Sequence, residues 1–551
     1  MNIAFTGKQN VYFTGNPSKS FFKSKYSQYT NFGLQKFRID FDGSKTLRLN
    51  ESSVFTFKIP RYADLLLDSY ISFNLPHIWS PIYPPQRVDN GDDPDSATYT
   101  PWIPYEFKWI ENIGTKMISK ITVTCGNYTL QEYSGDYLLA MVQRDYTNTK
   151  KELFNKMVGN IPELTNPSST SNGYPNAYYT TNPAGPNPSI RGRTLYIPLN
   201  SWFCLNSQQA FPLIALQNNE MKISITFKPI SDLFQIRNVT DHEGGYPYVS
   251  PDFNSHTMQF YTFLQPPPSA NINLGDYKDT RVLWNTDIHL ISTYAFLEEK
   301  EQLLFTQTNQ RYLVKQIREK TFHNVTGTNK IEIESHGMVS NYMFYFQRSD
   351  VNLRNEWSNY SNWKYNGVSP SKNVLADHIG DFMTIDGPIG PGMNPNGTPT
   401  DLYTTNVFNP ENEPDILTNL GILFDGTYRE DNQPVGIYNF IEKNLRTNGN
   451  APDGLYCYNF CLNSSSSSLN PSGAFNTSKV NRIEFEFTTI IPPADPLAQS
   501  LNICDPDTGE IVGVNKPTWR IYLYNYDLRL FEEKLNFIEF VGGNCELMWA
   551  N

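Results

Sequence analysis

From 221 to 227 the chain reads MKISITF, with Met221, Ile223, Ile225 and Phe227 on one side of an extended backbone and Lys222, Ser224 and Thr226 on the other. A period of two is the signature of a strand with one buried face, and no helix satisfies it. The pattern recurs. QKFRIDF (35–41) puts Phe37, Ile39 and Phe41 on one face, and SVFTFKI (53–59), SYISFNL (69–75), KITVTC (120–125) and TLYIPL (194–199) follow. In the second half, TDIHLISTYAF (286–296), NKIEIES (329–335), NYMFYFQ (341–347), RIEFEFTTI (482–490) and WRIYLYNYDLRLF (519–531) read the same way. Two stretches differ. SGDYLLAMVQRDYTNTKKELFNKMVGN (134–160) carries Leu138, Leu139 and Val142 at helical spacing without a proline, and EEKEQLLFTQTNQRYLVKQI (298–317) begins helical and ends apolar.

Composition agrees. Charged residues are 18% of the 551, against 34 Tyr and 35 Phe, which argues against disorder and long solvated helices. The 38 Pro and 33 Gly punctuate the chain as they do in all-β proteins. The length and strand spacing fit two antiparallel sandwiches of about 200 residues each. The Pro- and Gly-rich stretch 231–285, with QPPPSANINLGDYKD at its centre, reads as an extended linker between them. A segment at about 350–455, rich in Asn, Pro and Gly, reads as a long loop insertion, and NSSSSSLNPSG (463–473) as a second flexible loop. No internal sequence repeat stands out.

Chemistry is sparse. The seven histidines (His77, His242, His256, His289, His323, His336, His378) lie more than four residues apart, and HExxH, GxSxG and GxGxxG motifs are absent. TGNPSKS (14–20) lacks the glycine before lysine that a phosphate loop needs. Asp92, Asp93 and Asp95 in DNGDDPDS depart from EF-hand spacing and read as an acidic loop tip. The six cysteines are scattered, with no second pair near Cys457 and Cys461 to complete a zinc site. No catalytic, cofactor or metal residue is assigned, and no cofactor is expected. No apolar signal region and no run of eighteen apolar residues occurs, so neither a cleaved signal nor a membrane span is expected. Of the Asn-x-Ser/Thr triplets, Asn359, Asn396, Asn463 and Asn476 fall in or near the long loops and are the candidate glycosylation sites.

A net charge of −11 argues against general nucleic-acid binding. The first forty residues run against it, with Lys8, Lys19, Lys23, Lys25, Lys36 and Arg38 against Asp40 alone. A solvated edge accounts for that balance; so does a basic surface facing an anionic membrane or an acidic partner.

VYFTGNPSKSFFKSKYSQYTNF (11–32) resembles the N-terminal arm of the major capsid proteins of nucleocytoplasmic large DNA viruses, in the algal-virus and mimivirus-like branches. The resemblance rests on Thr14, Gly15, Asn16, Pro17, Phe21, Phe22, Lys23, Tyr26, Thr30, Asn31 and Phe32, in order. IPRYADLLLDSYISFNLP (59–76), AFPLIALQNNEMKISITF (210–227) and QRYLVKQI (310–317) are similar to further stretches of that family, whereas the loops around 80–107 and 350–455 are individual.

The resemblance implies an all-β double jelly roll: two eight-stranded antiparallel sandwiches with short helical inserts and long loops. It divides the chain into an arm (1–30), a first jelly roll (31–230), the linker (231–285), a second jelly roll (286–541) and a C-terminal tail (542–551). It implies a structural protein, not an enzyme, that forms homotrimeric pseudo-hexagonal capsomers of an icosahedral shell. The expected partners are neighbouring capsomers, minor capsid proteins and an internal viral membrane, with no direct nucleic-acid contact. The expected location is the virion, with assembly in the host cytoplasm. In the arm, Phe21, Phe22, Tyr26, Tyr29 and Phe32 are expected to anchor it under the first jelly roll, leaving Lys19, Lys23 and Lys25 to face inner partners. The competing reading is a glycan-binding, lectin-like or carbohydrate-active β-sandwich.

Overall fold

The computed structural model describes residues 7–82, 104–169, 187–363 and 413–549, apart from 218, 242–245, 269–271, 273–274, 496–497, 499–500, 507 and 516–520, together with the backbone of a strand pair at 87–88 and 98–99. The 386–401 stretch, Asn396 and the Asp92, Asp93 and Asp95 loop tip lie outside the described residues.

The alternating segments become strands. In the first module these are β1 (Phe32–Asp40), β2 (Ser53–Lys58), β3 (Leu65–Leu75), β4 (Ile118–Cys125), β5 (Tyr128–Tyr133), β6 (Arg193–Pro198), β7 (Met221–Phe227) and β8 (His289–Leu297). One sheet runs β1-β8-β3-β6 and the other β2-β7-β4-β5, all pairs antiparallel. The second module supplies β9 (Gln310–Phe322), β10 (Thr328–Glu332), β11 (Met338–Arg348), β12 (Leu417–Phe424), β13 (Thr427–Pro434), β14 (Leu455–Asn459), β15 (Ile483–Thr489) and β16 (Tyr526–Val541). Its sheets run β9-β16-β11-β14 and β10-β15-β12-β13. Numbered from its own first strand, each module has the order 1-8-3-6 facing 2-7-4-5. The repeat that no residue-by-residue comparison reveals is therefore a repeat of topology. Each module is a jelly roll, and the chain is all-β as expected.

Strand β7 shows why the alternation is legible. Met221, Ile223, Ile225 and Phe227 are all buried, and their neighbours Lys222, Ser224 and Thr226 are half-exposed. Each buried aliphatic or aromatic side chain contributes about 1.5–3 kcal/mol, so one face of seven residues decides the register.

Four expectations about the fold need correction. Segment 231–285 is no extended linker. Phe234–Arg237 pairs with Phe107–Trp109, and Phe234, Ile236, Phe260 and Phe263 lie in the first module's core. Their apolar side chains outweigh the surrounding prolines. Strand 289–297 was expected to open the second jelly roll. It is instead β8, between β1 and β3 of the first, because a jelly roll's last strand returns beside its first. We therefore propose that the modules divide near residue 298. The 350–455 segment is not all loop. Its end supplies β12 and β13, whose turn uses Asp425 (φ 49°) and Gly426 (φ 79°) to close a hairpin, and β14 starts at Leu455.

The C-terminal residues are no free tail either. Strand β17 (Asn544–Leu547) pairs back on β16, and Cys545 is buried. The helical stretch at 134–160 forms two helices, α1 (Gly135–Asp145) and α2 (Asn148–Val158), broken at Tyr146 and Thr147.

Candidate assembly surfaces and the seam between modules

The two jelly rolls are welded. Strand β11, NYMFYFQ in its centre, is buried along nearly its whole length. Tyr342, Phe344 and Phe346 point into the second sandwich, while Met343 and Tyr345 point the other way, into a core shared with the first module. A strand buried on both faces reads as a continuous apolar run, and this one does. Phe531 and Phe540 of β16 join the shared core, with ring centroids 5.8 Å from Tyr137 and 5.2 Å from Phe211 respectively. Edge strand β5 faces edge strand β9, and Gln131 Nε2 donates to the Lys315 carbonyl across the gap at 3.0 Å. Two open sheet edges thereby cover each other.

Helix α1 carries charge into this seam. Its N-terminus fits because residue 135 is glycine: a Cβ there would overlap the Thr115 carbonyl oxygen. Ser134 caps the helix, its hydroxyl accepting from Tyr137 N at 3.1 Å, and its own N–H donates to Glu319 of the second module at 2.7 Å. At the other end Arg144, completely buried, donates to Glu533 Oε1 of β16 at 2.8 Å. Glu533, also completely buried, accepts in addition from Tyr137 Oη (2.9 Å), Lys315 Nζ (2.9 Å) and Asn341 Nδ2 (2.9 Å). A bulge in β11 at Ser340 sets Asn341 opposite Glu533. Further along, Asp136 accepts from Lys116 Nζ at 2.7 Å and from Arg529 Nη1 at 2.6 Å. Three of these contacts join residues some four hundred positions apart, so the network exists only when both modules are in place.

Burial by itself would raise both carboxyls. The cations outweigh it: Arg144 and Lys315 hold Glu533 at about 2, against an ordinary 4.5, and Lys116, Lys228 and Arg529 hold Asp136 far below its usual range. A depressed folded-state pKa adds stability above the unfolded-state value, and that stability is lost as pH falls through the folded one. The denaturation midpoint, followed by tryptophan fluorescence, is accordingly expected to fall steadily from about pH 5 down to about 2, where Glu533 titrates. A midpoint unchanged at pH 3 would contradict this account of the seam.

The arm is placed differently from expectation. Phe21, Phe22, Tyr26, Tyr29 and Phe32 are between 51% and 100% exposed, so they do not anchor it under its own jelly roll. Among the described residues, the one helix preceding β1 is a single turn (Val11–Thr14) followed by Asn16 at a φ of 51°, and no described core side chain comes from residues 7–31. Lys19, Lys23 and Lys25 are exposed, with Lys19 Nζ 4.9 Å from the Phe21 ring centroid.

Of the asparagines, Asn359 is 1% exposed; it donates to Glu356 and the Trp363 carbonyl, and accepts from Ser361. It is no sugar acceptor in the folded chain. Asn463 is exposed, and Asn476 is half-buried with its side chain accepting from Ser478 N. Further exposed apolar groups cluster on a two-stranded hairpin, Leu501–Cys504 with Ile511–Asn515, where Ile503, Ile511, Val512 and Val514 face solvent. Strand β13, an outer edge, is covered with Arg429, Glu430 and Asp431.

The fold is a double jelly roll. It resembles the PBCV-1 virus capsid chain with a TM-score of 0.58 at 15% identity, covering 97% of this chain and 100% of that one. It resembles the Faustovirus major capsid protein with the same TM-score at 11% identity, covering 97% and 94%.

Two family models match in succession, "Major capsid protein N-terminus" over residues 20–263 and "Large eukaryotic DNA virus major capsid protein" over 301–499. Together they take in most of the chain, which belongs to the large eukaryotic DNA virus major capsid proteins, a family of structural proteins and not of enzymes. Among relatives, the major capsid protein of Chrysochromulina ericina virus is 28% identical over 60% of this chain and 54% of its own length. That of Phaeocystis pouchetii virus is 29% identical over 44% of each. Capsid protein 1 of Acanthamoeba polyphaga mimivirus is 27% identical over 58% of this chain and 43% of its own. The chain thus spans about half the length of the curated relatives it matches.

Proposed function

We propose that this chain is the building block of the icosahedral shell of a large double-stranded DNA virus, acting as a homotrimer of pseudo-hexagonal outline. The repeated topology carries the reading. Two modules with one strand order, held rigidly by a shared core and a buried ion network, present two similar walls per chain. Three such chains about a threefold axis present six, which tile a hexagonal lattice. Large apolar interfaces suppress relative motion of modules, as a lattice subunit requires.

The exposed hairpin at 501–515 supports association. An isolated two-stranded ribbon is marginal in water, and its outward Ile and Val side chains call for a covering neighbour. The aromatic arm is read the same way: with its rings free of the parent module, it docks on an adjacent capsomer or a minor capsid protein beneath the shell. Lys19, Lys23 and Lys25 then face that partner or an anionic inner membrane, and assembly takes place in the host cytoplasm. Asn463 and Asn476 remain the candidate sugar acceptors among the described residues. A lectin platform would expose tryptophan at a loop end, whereas Trp202 and Trp284 sit in the core.

Light scattering on the purified protein tests the reading. The expected mass is three times the 63.2 kDa of one chain. A persistent monomer at assembly concentrations would overturn it.

A further inference from the structure

A lysine is buried against an asparagine on the connection between β13 and β14. The helix there opens as a π turn, Ile437–Ile441, and continues as Glu442–Arg446. Tyr438 seats it: the ring lies in the second module's core, and Oη donates to the Leu420 carbonyl at 2.8 Å. Asn439 and Lys443, one turn apart, are 2% and 7% exposed. Lys443 Nζ donates to Asn439 Oδ1 at 2.7 Å, and to the Pro452 and Ala451 carbonyls at 2.9 and 3.4 Å. All three acceptors belong to neutral groups, and among the described residues Lys443 makes no ion pair. On its other side Asn439 Nδ2 donates to Asp453 Oδ1 at 3.3 Å.

We infer that Lys443 and Asn439 join through an intramolecular isopeptide bond, a self-modification of the folded chain. The Nζ lone pair attacks Asn439 Cγ, and the carbonyl electron pair moves onto Oδ1. As that pair returns, the Cγ–Nδ2 bond breaks. Nζ gives up one proton, and the Asp453 carboxylate, already in contact with Nδ2, hands it to the departing nitrogen. The amine and the carboxamide become one secondary amide and one ammonia. Nothing is oxidised or reduced, and no co-reactant is consumed.

The surroundings suit the step. A charged lysine held only by neutral acceptors is costly to bury, so the site favours the free amine, which is the nucleophilic form. Burial pushes the Lys443 amine down to about 8, outweighing the pull of Asp453 and Asp415. Residues four apart on a helix are neighbours, so amine and amide meet without any rearrangement of the chain. The product replaces a buried cation by a neutral amide. It also fixes the turn that packs on residues 451–452, next to the Asn450 carbonyl where Lys151 of the first module donates. The inference does not depend on trimer formation, and the test uses the isolated full chain.

Purified protein is denatured, digested with trypsin and mapped by tandem mass spectrometry. Trypsin cuts after Arg429 and Arg446, and after Lys443 only where that side chain is free. The expected product is an undivided 430–446 peptide, lighter by one ammonia, whose backbone fragments do not separate between Asn439 and Lys443. K443R keeps the cation and loses this product. D453A, at an exposed residue, keeps the fold and lowers the linked fraction. Because K443R alters a buried position, wild type and D453A suffice if it fails to fold. Cleavage after Lys443 in the wild-type chain would overturn the inference. A peptide short of one ammonia but still cut there would be a backbone succinimide, and would overturn it too.

Discussion

Arg144→Ala is expected to lower the unfolding free energy by about 3–5 kcal/mol, because it leaves a completely buried carboxylate without its main counter-ion. Glu533 would keep Lys315, Tyr137 and Asn341 as partners, but in a site arranged to hold a guanidinium as well. Asp145 would also lose the Arg144 fork that now holds both its carboxylate oxygens at 2.7 and 2.9 Å. The loss falls on the weld itself, so the modules should unfold in separate steps in the variant where the parent unfolds in one. Replacing the pair together, as R144M with E533L, should cost less than the two single changes summed, since the Glu533 carboxylate is then removed along with its counter-ion and only Asp145 loses the fork. Equilibrium denaturation of the two single variants and the double variant checks this. A change below about 1 kcal/mol for Arg144→Ala would match an exposed ion pair instead and contradict the account.

The second large effect lies in assembly rather than folding. Deleting residues 1–30 removes no described core side chain, so the thermal midpoint should stay close to the parent's. Shell formation should nevertheless be lost if the arm docks as proposed, because its rings at Phe21, Phe22, Tyr26 and Tyr29 are exposed and would be its docking surface. Reversing Lys19, Lys23 and Lys25 to glutamate should weaken the same step while leaving the rings in place. Electron microscopy of assembly reactions, with circular dichroism of the same samples, separates the two effects. Normal shells from the truncated chain would refute this role, and loss of folded protein would show the arm to be part of the core.

The strands were legible because a half-buried strand writes its burial into every second residue, as MKISITF does. The jelly-roll order was not, since pairing partners such as β1 and β8 are separated by the entire module. That separation also hid the membership of segment 289–297, whose local pattern is the same whichever sheet it joins. The β12–β13 hairpin was missed although it carries an Asp-Gly turn between an apolar and a polar run; the Asn- and Pro-rich chain before it obscured the signal. The linker reading failed because prolines drew more notice than Phe234, Phe260 and Phe263.

The seam left a fainter trace. In LRLFEEKLNFIEF the charged run Glu532–Lys534 breaks the alternation of apolar and polar residues, and Arg144 follows an apolar helical run. Such interruptions mark buried charges only when a partner is known, and the partner lies in the other module. The arm was recognised by its residues, yet its anchoring was misjudged. Aromatic content signals that a segment gets buried; it does not say whether its own chain or a neighbour does the burying.

The central claim is that two like modules per chain build a threefold particle with six similar walls. Two-dimensional class averages of the purified protein by electron microscopy test it most directly. The account predicts particles with threefold symmetry and a hexagonal outline, each holding six jelly rolls. Single two-lobed particles, or a particle of any other symmetry, would contradict it.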